Sequence, residues 1–198
     1  NYEDTDHPVQ KEIIKTIGYF TDEKPDEIPV GTYGCGLPIF LLPARKMALS
    51  FARLVRFAQE PDNPYHEPCK TVFEAMTTYP EMVAGSREFC TELMSATKGK
   101  LIGKIGAEAV YCLGIKKGSL GVCVKIADGG ERAVYPVVIQ LLLELGILDK
   151  GEYEKLEHWH NVRLMNNLKE HIGYIIPVFQ HDKPFSLGMP IDDRPFSA

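Results

Sequence analysis

The stretch Leu120-Gly121-Val122-Cys123-Val124-Lys125-Ile126-Ala127 decides the fold. Leu120, Val122, Val124 and Ile126 alternate with Gly121, Cys123, Lys125 and Ala127, and a period of two places each set on its own face of a β-strand. Asp128-Gly129-Gly130 closes it as a turn. Just upstream, Leu101–Ile105 and Ala109–Ile115 read as two more strands, near enough in sequence to pair antiparallel. Downstream, Ala133–Leu145 reads as a long buried helix closed by Gly146. Gly151–His160 reads as a short amphipathic helix and Ile172–Phe179 as a last strand.

Ahead of the strands the spacing is helical. Asp6 can cap a helix with Pro8 in its first turn and Val9, Ile13 and Ile17 along one face. Thr21–Pro29 is a polar connection with two prolines, and Val30–Leu42 is punctuated by Gly31, Gly34 and Gly36. A second helix begins near Pro43. Met47, Phe51, Leu54, Val55 and Ala58 form its apolar stripe, and Arg45, Lys46, Arg53 and Arg56 are expected in solvent. Cys69–Thr78 predicts a helix with Val72, Phe73 and Met76 inward, Pro80–Ala84 a further turn, and Arg87–Thr97 a helix stopped by Gly99. Helices first, then an antiparallel sheet flanked by helices, is the α+β class. The tail from 182 to 198 has three prolines and no periodicity, so the folded portion is expected to span residues 1–181.

Composition narrows the function. The 198 residues are 44% hydrophobic and 25% charged, as in an ordinary globular domain. The formal charge of −5, with no basic block, speaks against nucleic-acid or anionic-lipid partners. The most apolar run, Val137–Leu148, is broken by Gln140, Glu144 and Gly146 and is too short to cross a membrane. Asn1–Asp6 is acidic and polar, unlike a signal peptide. The five cysteines (Cys35, Cys69, Cys90, Cys112 and Cys123) contain no CxxC pair and read as reduced thiols, which points to the cytoplasm.

Several groups could carry chemistry. Ser95-Ala96-Thr97-Lys98 has the S-x-x-K form of a serine–lysine nucleophile, yet six serines and fifteen lysines give roughly half a match by chance. It also lies at a helix end, where a lysine favours the dipole. His158 and His160, two apart on a helix, point to different faces and read better as helix-end histidines beside Trp159 than as metal ligands. Lys104-Ile105-Gly106 has the outline of the K-T-G strand of serine β-lactamase-like folds, with Gly106 letting a substrate backbone approach the ammonium. The other reading is a strand lysine facing solvent. Cys35 stands between Gly34 and Gly36, which expose a thiol, and no metal-ligand partner lies at a familiar spacing. Cys90, Cys112 and Cys123 fall on apolar faces, as small core residues do.

Taken in order, His7-Pro8-Val9-Gln10, Gly34-Cys35-Gly36-Leu37-Pro38, Leu49-Ser50-Phe51-Ala52-Arg53-Leu54, Lys104-Ile105-Gly106-Ala107-Glu108 and the run from Leu120 to Asp128 resemble one family. The chain resembles the carboxy-terminal part of L-asparaginases of the Rhizobium etli (thermolabile) type, from about Asp6 to Pro177. The resemblance implies a β-lactamase-like fold in which serine–lysine pairs hydrolyse the side-chain amide of L-asparagine. Lys104 matches the lysine that partners the second active-site serine, and Cys90 matches a further pocket cysteine. By the same resemblance, Gly106, Glu108 and Gly36 are expected beside the substrate pocket. Cys35 matches a cysteine of a zinc site. The family usually has Asp-Gly-Cys where this chain has Tyr33-Gly34-Cys35, so the ligand set is incomplete here.

The family's serine–lysine nucleophile segment and its Cys-Ser-Gly-Lys-His motif would precede His7. The expectation is therefore an amidohydrolase segment that needs an amino-terminal portion or a second chain, and that forms oligomers. A non-catalytic truncated globular protein and a glutaminase-like serine–lysine amidohydrolase are the alternatives.

Overall fold

The computed structural model describes residues 1–178. Helix α1 (Pro8–Thr21) leads, followed by strands β1 (Val30–Thr32) and β2 (Pro38–Phe40). Helices α2 (Ala44–Phe57), α3 (His66–Thr78), α4 (Glu81–Ala84) and α5 (Phe89–Thr97) come next. Strands β3 (Leu101–Gly106), β4 (Val110–Ile115) and β5 (Leu120–Lys125) follow as one block. Helices α6 (Val134–Glu144) and α7 (Lys150–His160) and strands β6 (Val162–Met165) and β7 (His171–Ile175) complete the order. The class is α+β. Among the described residues no helix is long and apolar enough to cross a membrane. Phe179 and the expected tail from 182 to 198 lie outside the described residues.

The central sheet runs in the order β3-β4-β5, every pair antiparallel. Its register separates two faces, because residues directly opposite one another share a face. One face carries Ile102, Lys104 and Gly106 on β3, Val110, Cys112 and Gly114 on β4, and Gly121, Cys123 and Lys125 on β5. Helix α2 lies on this face and crosses it at the two glycines. A Cβ at Gly114 would meet Val55 and the Phe51 carbonyl, and one at Gly121 would overlap the Ala48 carbonyl. The helix backbone thus lies against the strand backbone, which only glycine permits.

The opposite face carries Gly103 and Ile105, then Tyr111, Leu113 and Ile115, then Val122 and Val124. Here α5, α6 and α7 supply Phe89, Tyr135 and Trp159. The Phe89 ring stands 5.3 Å from Tyr111, 4.6 Å from Tyr135 and 5.4 Å from Trp159. The sheet is therefore the middle of three layers, and the larger apolar cluster gathers around Leu93, Leu101, Leu113, Val138 and Leu142, all fully buried.

Several expectations are corrected. His7, not Asp6, caps α1: its Nδ1 accepts from the Val9 amide at 3.2 Å, while the Asp6 carboxylate pairs with Lys11 at 3.1 Å. The face of α1 that carries Val9 and Ile13 is the exposed one, at 52% and 38%. The buried residues of α1 are Gln10, Gly18 and Thr21, and Gln10 donates to the Tyr2 carbonyl at 2.8 Å. Lys46 and Arg53 are partly buried rather than free in solvent. They donate to the carbonyls of Asp22 (2.8 Å) and Tyr19 (2.5 Å) at the carboxyl end of α1, where free carbonyls and the helix dipole favour cations. Val72 faces solvent, whereas Phe73 is buried. Ala109 is not in a strand; with Glu108 it adopts left-handed backbone (φ 53° and 58°) in the β3–β4 turn.

Candidate active site

Lys104 lies in a cross-strand row: it faces Cys112 on β4, which in turn faces Cys123 on β5. Among the described residues no strand pairs with the outer side of β3. Lys116 donates to the Lys100 carbonyl, which makes residues 100 and 116 a hydrogen-bonded pair. Antiparallel alternation then makes Lys104–Cys112 and Gly106–Val110 hydrogen-bonded pairs, so the amide and carbonyl groups of Gly103 and Ile105 turn towards the free edge. The Lys104 ammonium is exposed and donates to one of these edge groups, the Ile105 carbonyl, at 2.7 Å. Gly106, also exposed, leaves the neighbouring space open: the nearest atoms to a Cβ there belong to Val110, at 3.7 and 3.8 Å.

A cation folded over an unpaired strand edge can do two things at once. The ammonium attracts a carboxylate, and the edge amide and carbonyl pair with an amide-bearing molecule laid along the strand. Glu108 follows in the turn. Its main-chain carbonyl accepts from Lys125 Nζ at 2.5 Å and its carboxylate lies against Gly129. Lys104, Gly106 and Glu108 therefore belong to one neighbourhood at the Gly106 end of the sheet.

The remaining candidates lie elsewhere. Cys90 is buried in α5, on the opposite face of the sheet, beside the Tyr111 hydroxyl. That hydroxyl is buried without a hydrogen-bond partner among the described residues, and burial, reinforced by the Cys90 thiol, pushes its pKa well above the ordinary phenol value. The sheet thus separates Cys90 from Lys104. Cys35 and Gly36 occupy the tip of the β1–β2 hairpin. There Gly36 donates to the Tyr33 carbonyl at 2.8 Å with φ of +87°, and both residues are exposed.

Among the described residues no group of three or more His, Cys, Asp or Glu side chains could hold a metal ion. One exposed thiol does not fit a zinc site, which takes four ligands. Ser95 faces solvent on α5, and Lys98 ends that helix in left-handed backbone (φ 46°), so the S-x-x-K segment is a helix terminus. His158 stands 2.9 Å from the Glu92 carboxylate, which also accepts from Trp159 Nε1 at 2.8 Å. His160 bonds instead to the Tyr153 hydroxyl (3.1 Å) and the Gln140 amide oxygen (3.0 Å), and burial lowers its pKa. The two imidazoles serve different contacts.

Two features escape a reading of motifs alone. The first is the direct opposition of Cys112 and Cys123. Its signal is present in the sequence: the two cysteines are symmetric about the turn at residues 116–119. The second is a cleft of about 550 Å³ at the other end of the sheet, rimmed by Gln59, Lys98, Lys100, Lys116 and Lys117. Lys100 is already held there by Asp149 (3.3 Å) and Glu152 (2.6 Å), which raise its pKa.

Residues 1–177 match the family model of L-asparaginase II. No curated protein matches the chain.

Proposed function

Because the chain belongs to the L-asparaginase II family, we propose that it forms part of an amidohydrolase that converts L-asparagine and water to L-aspartate and ammonia, with Lys104 at the edge of its substrate pocket. The observation that carries this reading is the Lys104 ammonium folded over the free edge of β3, with the open space of Gly106 beside it.

Hydrolysis of an amide needs an activated nucleophile, a base for its proton and donors for the oxyanion. The edge of β3 suits recognition: Lys104 can take the α-carboxylate of asparagine, or stand as the partner of a serine brought beside it. Ser50 and Ser95 are not placed to supply the attack. Ser50 donates to the Met47 carbonyl within α2, and Ser95 stands on the layer across the sheet from Lys104. The nucleophile is assigned to an amino-terminal segment or a second chain that reaches the edge of β3 beside Lys104, in keeping with the Rhizobium etli type of enzyme and its β-lactamase-like layout. The three layers, with a K-x-G on an edge strand, support that layout. Unpaired cysteines suit a reducing cytoplasm.

The test compares ammonia release from L-asparagine and from L-glutamine, using residues 1–198 alone and the protein expressed from its whole reading frame. The isolated chain is expected to release none, and the whole-frame protein to prefer asparagine. Equal turnover of both amides would favour the glutaminase-like alternative. No turnover of either amide by the whole-frame protein would favour a non-catalytic protein.

A further inference from the structure

We infer that Cys112 and Cys123 are a modification site: a cross-strand thiol pair that closes reversibly to a disulfide on contact with a small-molecule disulfide of the glutathione class. The register supplies the geometry. Ile126 donates to the Ala109 carbonyl at 3.1 Å, so residues 109 and 126 form a hydrogen-bonded pair. Alternation along β4 and β5 then makes Tyr111–Val124 a hydrogen-bonded pair and Cys112–Cys123 a non-hydrogen-bonded one. In such a pair the Cα atoms approach to about 4.5 Å and the side chains lie closest. That separation falls inside the range of roughly 4.4–6.8 Å that a disulfide spans without backbone movement. Both thiols are on the same face by register. No such opposition exists for the others: Cys35 is on an exposed hairpin, Cys69 in α3 and Cys90 in α5 behind the sheet.

Accessibility orders the chemistry. Cys123 is half-buried and can meet a solute, whereas Cys112 is 3% exposed. The thiols interact directly: hydrogen bonding from Cys112 lowers the Cys123 pKa, and the same interaction, with burial, raises that of Cys112. Cys123 is therefore the attacking thiolate. It forms a bond to one sulfur of the small disulfide and breaks its S–S bond, and the departing thiolate leaves with the electron pair and takes a proton. The Cys112 thiol, as it loses its proton, then attacks Cys123 Sγ and expels the second small thiol. Two cysteine thiols are oxidised by two electrons in all, and one disulfide is reduced to two thiols. The second step is intramolecular, so burial of Cys112 does not prevent it. The closed pair would lie beside Lys104 in the same row, although its formation does not depend on the function proposed for Lys104.

Peptide mapping tests the pair on the whole chain. After incubation with oxidised glutathione, alkylation of remaining thiols and trypsin, the peptides Ile105–Lys116 and Gly118–Lys125 should appear joined, and dithiothreitol before alkylation should separate them. Cys112→Ser should instead stop at a glutathione adduct on Cys123. If Cys112→Ser does not fold, the native-chain mapping decides alone. Alkylation of both cysteines after oxidant treatment, a stable glutathione adduct on Cys123 of the native chain, or linkage of either cysteine to Cys35, Cys69 or Cys90 would overturn the proposal.

Discussion

The three-stranded sheet and the two hairpins are built from similar strands but behave as different materials. Strands β3, β4 and β5 are covered on both faces, by α2 on one side and by α5 and α6 on the other, and Leu101, Ile102, Tyr111 and Leu113 are fully buried. The β1–β2 hairpin is exposed along Val30, Gly31 and Thr32, and β7 is mostly exposed as well. An isolated two-stranded hairpin is marginal in water, because it has little apolar area to bury. The difference bears on the site. Lys104 and Gly106 stand on the rigid sheet, while Cys35 and Gly36 stand on the exposed β1–β2 hairpin. Precise chemistry needs side chains held by packed elements, so Lys104 is the better-placed candidate.

The largest effect expected of the sheet is at its contact with α2. Gly121→Val would force a side chain into the Ala48 carbonyl and the Ala52 amide. Overpacking against backbone should destabilise by about 3 kcal/mol, read as a lower urea midpoint. An unchanged midpoint would show that α2 is not locked to the sheet.

A smaller effect is expected in the layer behind the sheet. Burial holds the folded-state pKa of His160 below its ordinary 6.5. The unfolded chain therefore binds more protons in the window just below 6.5, so this contribution to stability is complete above 6.5 and is lost as pH falls. The slope of stability against pH between 7 and 5 should flatten in His160→Gln. A slope identical to that of the parent would place the sensitivity elsewhere.

The smallest effect belongs to the hairpin. Gly36→Ala must hold a φ of +87°, at a cost of about 1 kcal/mol. That strain should appear as faster amide exchange at Tyr33 and Gly36, with the global unfolding midpoint unchanged. A lowered midpoint would mean that the hairpin unfolds together with the sheet.

What the sequence reveals follows from the same contrast. The alternation from Leu120 to Ile126 is legible because strand β5 packs two unlike faces. Strands β1, β2 and β6 are not legible, because short exposed hairpins bury neither face and leave no period. The spacing of Val9 and Ile13 indicates a stripe but not whether anything covers it. The charges of Lys46 and Arg53 suggest solvent, since nothing in their own helix shows that the end of α1 arrives there. At the site, Lys104-Ile105-Gly106 is legible as a strand lysine with open space beside it. The separation of Lys104 from Cys90 is not, because it depends on which face of the sheet α5 packs against. The opposition of Cys112 and Cys123 can be counted from the turn between them once the hairpin is recognised.

The most direct test of the account is the rate of ammonia release from L-asparagine by the whole-frame protein carrying Lys104→Met or Lys98→Met. Lys104→Met keeps most of the apolar stem and should change stability by no more than about 0.5 kcal/mol, while turnover should fall by roughly 10²–10⁴, the usual worth of a positioned acid or base. Lys98→Met, at the end of α5, should leave turnover nearly intact. Equal losses in the two variants, or a larger loss from Lys98→Met, would contradict the assignment of the site to the edge of β3.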